Sequence, residues 1–147
     1  MRRTVKEKPD HWYRQSGVIP LRCKGKKTEV LLVTSRGGKR WIIPKGIIEP
    51  GLSAGESALR EAWEEAGAQG DLRSGAAGSY RYRKWGGVCT VAVYLLDVGD
   101  LRDHWPEGNI RKRRWFSKKK AAALVREEEL RDLILDAEGP ENGGGKG

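Results

Sequence analysis

An α/β (α+β) chain, with one mixed β-sheet between helical layers, is expected from three features of the sequence. Strand-like stretches come in a run, pause for one helix, resume, and give way to two helices, which is not the regular alternation of a doubly wound sheet. The internal helix is marked at both ends, by Ser53 as N-cap with Glu56 three residues later and by Gly67 as a left-handed stop. Near the end, Leu130, Leu133, Ile134 and Ala137 recur at helical spacing. At 147 residues the chain suits one domain with its own core.

Residues 1–14 are polar and basic and read as a flexible arm, with the domain proper over 15–138. Ser16 to Cys23 reads as a strand interrupted by Pro20, hence at an edge or a bulge, because proline cannot donate to the ladder. A turn over Gly25 to Thr28 leads to the buried strand Glu29 to Ser35. A cationic turn, residues 36–40, precedes the short strand Trp41 to Pro44. After the internal helix, Leu72 to Lys84 alternates as Tyr80-Arg81-Tyr82-Arg83, a strand with one basic face. Gly86-Gly87 turns the chain into Val88 to Val98, where Val91, Val93 and Leu95 share a face. A loop from Gly99 to Ile110 leads to a last strand, Arg111 to Ser117, and to helices over Ser117 to Val125 and Arg126 to Glu138. The glycine-rich residues 139–147 read as a disordered tail.

Hydrophobic residues make up 37% and charged residues 33%, the balance of a soluble domain, and no apolar run is long enough to span a membrane. The charged start lacks a secretory signal, and the two cysteines, Cys23 and Cys89, sit in apolar stretches as free thiols; both point to the cytoplasm. The net charge of +9 coexists with an acidic helix, so a cationic surplus lies elsewhere, open to nucleic acid, anionic lipid or a small polyanion. His11 and His104 are the only histidines, and neither belongs to a nucleophile–base pattern.

The chemistry concentrates between Gly46 and Ala68. At about 100° per residue, Glu61, Glu64 and Glu65 fall in one sector of the helix, with Leu59, Ala62, Trp63 and Ala66 opposite. Crowded carboxylates repel unless a cation joins them, and their hard oxygens suit Mg²⁺ or Mn²⁺ shared with phosphate. A Glu-x-x-Glu-Glu alone is usually a solvated face. Here Gly46, Arg60, Glu61, Glu64, Glu65 and Gly67 stand at the spacing Gly-x5-Glu-x7-Arg-Glu-U-x-Glu-Glu-x-Gly-U, where U is bulky and aliphatic. The stretch therefore resembles the Nudix box. Two departures are Ala62 and Ala68 at the U places and Leu52 in place of the first glutamate. Glu56, four residues before Arg60, is expected to take over the orientation of that arginine.

The resemblance implies a Nudix-type α/β/α sandwich, a metal held by Glu61, Glu64, Glu65 and the Gly46 carbonyl, and Arg60 orienting the carboxylates. It makes Glu61 or Glu64 the candidate general base. Arg36-x-x-x-Arg40-Trp41-Ile42-x-Pro44 before the box and Asn109-Ile110-Arg111-Lys112-Arg113-x-Trp115-Phe116 after it are similar to the diphosphoinositol polyphosphate phosphohydrolase subgroup. That likeness implies that Arg36, Arg40, Arg111 and Arg113 hold a crowded polyphosphate, with Lys45, Arg83 and Lys84 ranking below them. Converging guanidiniums bind phosphate in a bidentate way. Tyr80, Tyr82 and Trp85 offer an aromatic slot for a base, which keeps a dinucleoside polyphosphate open.

The expected activity is Mg²⁺-dependent hydrolysis of a phosphoanhydride bond in a small polyphosphorylated substrate, by a monomer or homodimer that needs no membrane. Nucleic acid is a less favoured partner. The rivals are an RNA 5′ pyrophosphohydrolase and a Nudix-fold sensor that binds a nucleotide or nucleic acid without cleaving it.

Overall fold

The computed structural model describes residues 7–140 of the chain. Among these residues eight strands form one mixed sheet, with one helix on one face and two on the other. The strands are β1 (Arg14–Lys24), β2 (Lys27–Thr34), β3 (Trp41–Ile42), β4 (Lys45–Ile47), β5 (Ala68–Leu72), β6 (Gly78–Lys84), β7 (Gly87–Leu101) and β8 (Arg113–Ser117). The helices are α1 (Ala54–Ala66), α2 (Lys118–Leu124) and α3 (Glu128–Asp136). The main path runs β3-β2-β1-β7-β5, with β4 on β1, β6 on β7 and β8 on β2. Among the described strands only β1 and β7 run parallel, with Gln15 opposite Val91 and Leu21 opposite Asp97.

Alternation along the strands sorts the core onto two faces. Val30 and Leu32 of β2 pack with Ile19, Leu21, Val91 and Val93 under Leu130 and Ile134 of α3. Leu31 and Val33, the residues between, pack with Val18 and Leu96 against Ala58, Ala62 and Ala66 of α1. Each such buried aliphatic side chain contributes about 1.5–3 kcal/mol. The alanines have little side chain to hold off the sheet, which explains why Ala62 and Ala68 serve where a bulky residue was expected.

β1 is central, so Pro20 is not at an edge. On one side β1 pairs with β4 through residues 15–17 and with β2 through residues 21–24. Pro20 falls in the gap between these ladders, where a missing N–H forfeits no ladder bond on that side.

Of the arm expected over 1–14, residues 1–6 lie outside the described residues. Asp10–Tyr13 form a 3-10 turn whose Trp12 and Tyr13 rings meet Trp85 edge-on at 5.1 and 5.9 Å. Of the expected tail, residues 141–147 lie outside the described residues. Gly139 N–H donates to Thr34's strand-mate Thr28 at Oγ1 (2.9 Å), and the Pro140 carbonyl accepts from Cys23 Sγ, so the ordered chain runs past 138. No helix among the described residues is long and apolar enough to cross a membrane.

Candidate active site

The site is built around α1. Ser53 Oγ accepts from Glu56 N–H at 3.0 Å and Glu56 Oε1 accepts from Ser53 N–H at 2.8 Å, a complete capping box. Such a cap contributes about 1 kcal/mol. It also engages the Glu56 carboxylate, while Arg60 Nε donates to Glu64 Oε2 at 3.2 Å. The expected Glu56–Arg60 partnership is therefore replaced by two separate contacts. At the other end Gly67 adopts φ +64°, and a Cβ there would meet Trp105 at 2.9 Å and Arg113 Nη1 at 2.8 Å.

The three glutamates do not stay together. Glu65 turns inward beside Ala58, Ala62 and Ala66 and is 6% exposed, while Trp63, expected to face inward, is only half-buried. The inward shift is sustained because the Glu65 carboxylate finds Lys45 N–H at 3.2 Å and Arg111 Nη2 at 3.5 Å. Glu64 stays nearer solvent with Arg60 and lines a second cleft of about 490 Å³ with Glu49 and Leu52. Glu61 borders both clefts. Among the described residues no three acidic, histidine or cysteine side chains converge on one point.

The main cleft is about 590 Å³. Its floor holds Gln15, Lys45, Gly46, Glu61 and Glu65, with Glu107 and Arg111 beside them. The rim carries Arg36 and Arg40 from the β2–β3 turn, Arg83, Lys84 and Trp85 from the β6–β7 hairpin, and Arg126 from the α2–α3 link. The Glu61 and Glu65 carboxyls lie close enough for each to perturb the other's titration. Burial pushes the Glu65 carboxyl up to about 8, with the Glu61 charge adding to it and Arg111 opposing. Burial also raises Glu61, helped by the charges of Glu64 and Glu107. Lys45 Nζ donates to Tyr82 Oη at 3.0 Å, and burial lowers its pKa against the pull of Glu65.

Two carboxyls crowded together in a buried place favour a shared proton or a cation between them. The Gly46 backbone lies so close that a Cβ would overlap the Glu61 carboxylate. Hard oxygens thus meet at the floor of a cationic cleft, a donor set that fits Mg²⁺ or Mn²⁺. Glu61 and Glu65 are its carboxylates, with the Gly46 backbone against Glu61, while Glu64 turns to Arg60 and neighbours Glu61 across the second cleft.

Arg36, Arg40, Lys45 and Arg111 line the cleft as expected, and Arg83 and Lys84 join them. Arg111, however, is 8% exposed and already spends its guanidinium on Glu65, on Glu107 (2.7 Å) and on the Thr34 carbonyl (2.9 Å). Arg113 does not line the cleft. Its Nη1 donates to the Ala66 carbonyl at 2.8 Å and its guanidinium lies 3.9 Å from the Trp105 ring centroid, so it caps α1. Tyr80 is buried in the core and offers no slot, whereas Tyr82 and Trp85 face the cleft. Trp85 holds φ +54° at the hairpin turn, pinned by Tyr13 Oη on its carbonyl at 2.8 Å.

Glu107, Arg126 and Gln15 reach the cleft without having been singled out in the sequence. The Trp-Pro-Glu turn, residues 105–107, just before the basic run was the only local hint of Glu107; Arg126 is one cation among many until the helices fold back.

The NUDIX domain profile matches residues 13–136. Nudix hydrolase 16, mitochondrial, of Arabidopsis thaliana is 32% identical over 120 residues, covering 76% of this chain and 66% of that protein. Diphosphoinositol polyphosphate phosphohydrolase 3-beta of Homo sapiens is 34% identical over 122 residues, covering 80% of this chain and 71% of that protein. The chain spans 54% to 66% of the length of five Arabidopsis relatives it matches. Among solved structures, a C. elegans Ap4A hydrolase binary complex superposes with a TM-score of 0.72 at 21% identity, over 83% of this chain and 92% of that one, a likeness of fold.

Proposed function

The chain belongs to the Nudix hydrolase family, and from that premise we propose that it hydrolyses a phosphoanhydride bond in a small, densely phosphorylated substrate, with a diphosphoinositol polyphosphate as the leading class. One observation carries the reading: seven cationic side chains surround a cleft whose floor is the Glu61–Glu65 carboxyl pair. The cations come from five segments at the floor and rim, so they meet phosphates pointing in several directions. Among the described residues, Arg40 Nη1 is buried with no hydrogen-bond partner, its nearest acid, Glu127, being 3.7 Å away. A phosphate oxygen would supply the missing acceptor.

Glu61, Glu65 and the Gly46 carbonyl would hold Mg²⁺ or Mn²⁺. When bound, the ion supplies neutralisation of diphosphate charge and acidification of water. The chain's own groups do the rest. Arg36, Arg40 and Arg126 orient the phosphates. Arg111 and the Lys45 N–H fix the Glu65 carboxylate. Glu61, open to both clefts, is the candidate to take a proton from water, with Glu107 beside it as a further acceptor.

A dinucleoside polyphosphate is the second reading, favoured by Tyr82 and Trp85 at the cleft. Mg²⁺-dependent phosphate release from inositol pyrophosphates, dinucleoside polyphosphates and triphosphorylated RNA tests both. Highest kcat/KM on the inositol compounds is expected. Preference for long RNA with steep salt dependence would replace the substrate class. Binding without turnover on every compound would replace the enzyme with a sensor.

A further inference from the structure

An α-helix leaves its last four carbonyls without partners inside the helix. In α1 the first of these, on Trp63, is taken by Gly67 N–H at 2.9 Å. The next three are taken by one distant stretch of chain. Glu64 O accepts from Glu107 N–H at 3.0 Å, Glu65 O from Trp105 Nε1 at 2.9 Å, and Ala66 O from Arg113 Nη1 at 2.8 Å. Arg102 N–H then takes the Gly67 carbonyl at 3.0 Å.

The same stretch holds the other end of Glu65, because Arg111 reaches its carboxylate. Glu65 is thus gripped at backbone and side chain by residues 105 and 111. The Trp105 indole itself has little freedom. The Arg113 guanidinium covers the ring at 3.9 Å, and Gly108 and Gly67 lie so close that a Cβ on either would crowd it. The direction of the indole N–H is therefore fixed, and so is the carbonyl it holds. Trp105 does not line the main cleft.

We propose that Trp105 is a positioning residue for Glu65: its indole N–H sets the rotation of the last turn of α1 and thereby aims the Glu65 carboxylate into the cleft. The inference rests on the proposed role of Glu65 in holding a divalent ion. Residues that orient a metal's protein ligands typically cost about 10–100-fold in metal affinity or activity when removed.

The test compares Trp105→Phe, which drops the N–H and keeps a ring, with Ser53→Ala, which removes a cap of similar worth at the far end of α1. Each is expected to lower Tm by a few degrees. Mn²⁺ affinity is read by electron paramagnetic resonance, and kcat and KM on the best substrate of the panel. Trp105→Phe should weaken Mn²⁺ about 10-fold and lower kcat by a similar factor, with KM within about twofold. Ser53→Ala should leave Mn²⁺ affinity and kcat unchanged. Mn²⁺ affinity of Trp105→Phe equal to that of the unsubstituted chain overturns the inference, as does equal weakening by Ser53→Ala. An unsubstituted chain that binds no Mn²⁺ overturns the metal reading of Glu65 and this inference with it.

Discussion

Arg111 Nη2 stands 3.5 Å from Glu65 Oε2, and both side chains are nearly buried, at 7% and 8% exposure. The pair joins the loop after β7 to the helix that carries the acidic side chains. Burial makes Glu65 sensitive to pH, raising its pKa to about 8 even with the guanidinium opposing.

Removing Arg111 takes the guanidinium from the buried Glu65 carboxyl and a donor from Glu107 and the Thr34 carbonyl. Arg111→Met is expected to cost about 1–3 kcal/mol at pH 8, chiefly from the Glu107 carboxylate and Thr34 carbonyl left without their donor, with the Glu65 pair adding to it. The cost should shrink at pH 5, where Glu65 is protonated in both forms. Thermal unfolding of the two proteins across this range measures it; a pH-independent difference would count against the pair.

Without metal, stability should fall as pH rises. The folded pKa of Glu65 lies above its unfolded value of 4.5, so between the two the native state holds a proton that the unfolded state lacks. The contribution is full below about 4.5 and is lost as pH climbs toward 8. Tm in the presence of a chelator should decline from pH 5 to pH 8 more steeply than in Glu65→Gln. Parallel curves would show that Glu65 titrates normally.

Glu61→Gln and Glu65→Gln are each expected to cut kcat by at least about 100-fold while Tm at pH 8 holds or rises. Both remove a carboxylate from the proposed ion, and neither leaves a new buried charge. Turnover near that of the unsubstituted chain in either variant would remove that residue from the site.

Arg126 and Arg113 should part company. Arg126→Ala at the rim is expected to raise KM for a polyphosphate about 10-fold, a loss of about 1.4 kcal/mol, with little change in Tm. Arg113→Ala should lower Tm by several degrees, because the Ala66 carbonyl and the Trp105 ring lose their cover. Steady-state kinetics beside calorimetry separate the two; a KM effect from Arg113 as large as that from Arg126 would return it to the substrate site.

Gly67→Ala is expected to destabilise by more than about 1 kcal/mol, since φ +64° is strained for alanine and its Cβ would press on Trp105 and Arg113. Denaturant unfolding measures it. A neutral result would mean that the loop yields, and with it the grip on Glu64 and Glu65.

What could be read along the chain was local in its physics. Ser53, Glu56 and Gly67 declare both ends of α1 because a cap acts within one turn. The alternation in β7 and the stripe in α3 declare buried faces because side-chain direction follows backbone period. The spacing of Gly46, Arg60, Glu61, Glu64 and Glu65 declares the family. Folding in three dimensions decided which of those groups share a space. Glu64 and Glu65 are neighbours in sequence yet part, one to Arg60 and one beneath the helix, because Arg111 and the Lys45 N–H wait only on the inner side. Arg113, two residues from Arg111, caps a helix instead of meeting the cleft, and Arg126 reaches the rim from a link between helices. No short window of sequence carries those outcomes, because each depends on a partner brought close by the sheet rather than by the chain.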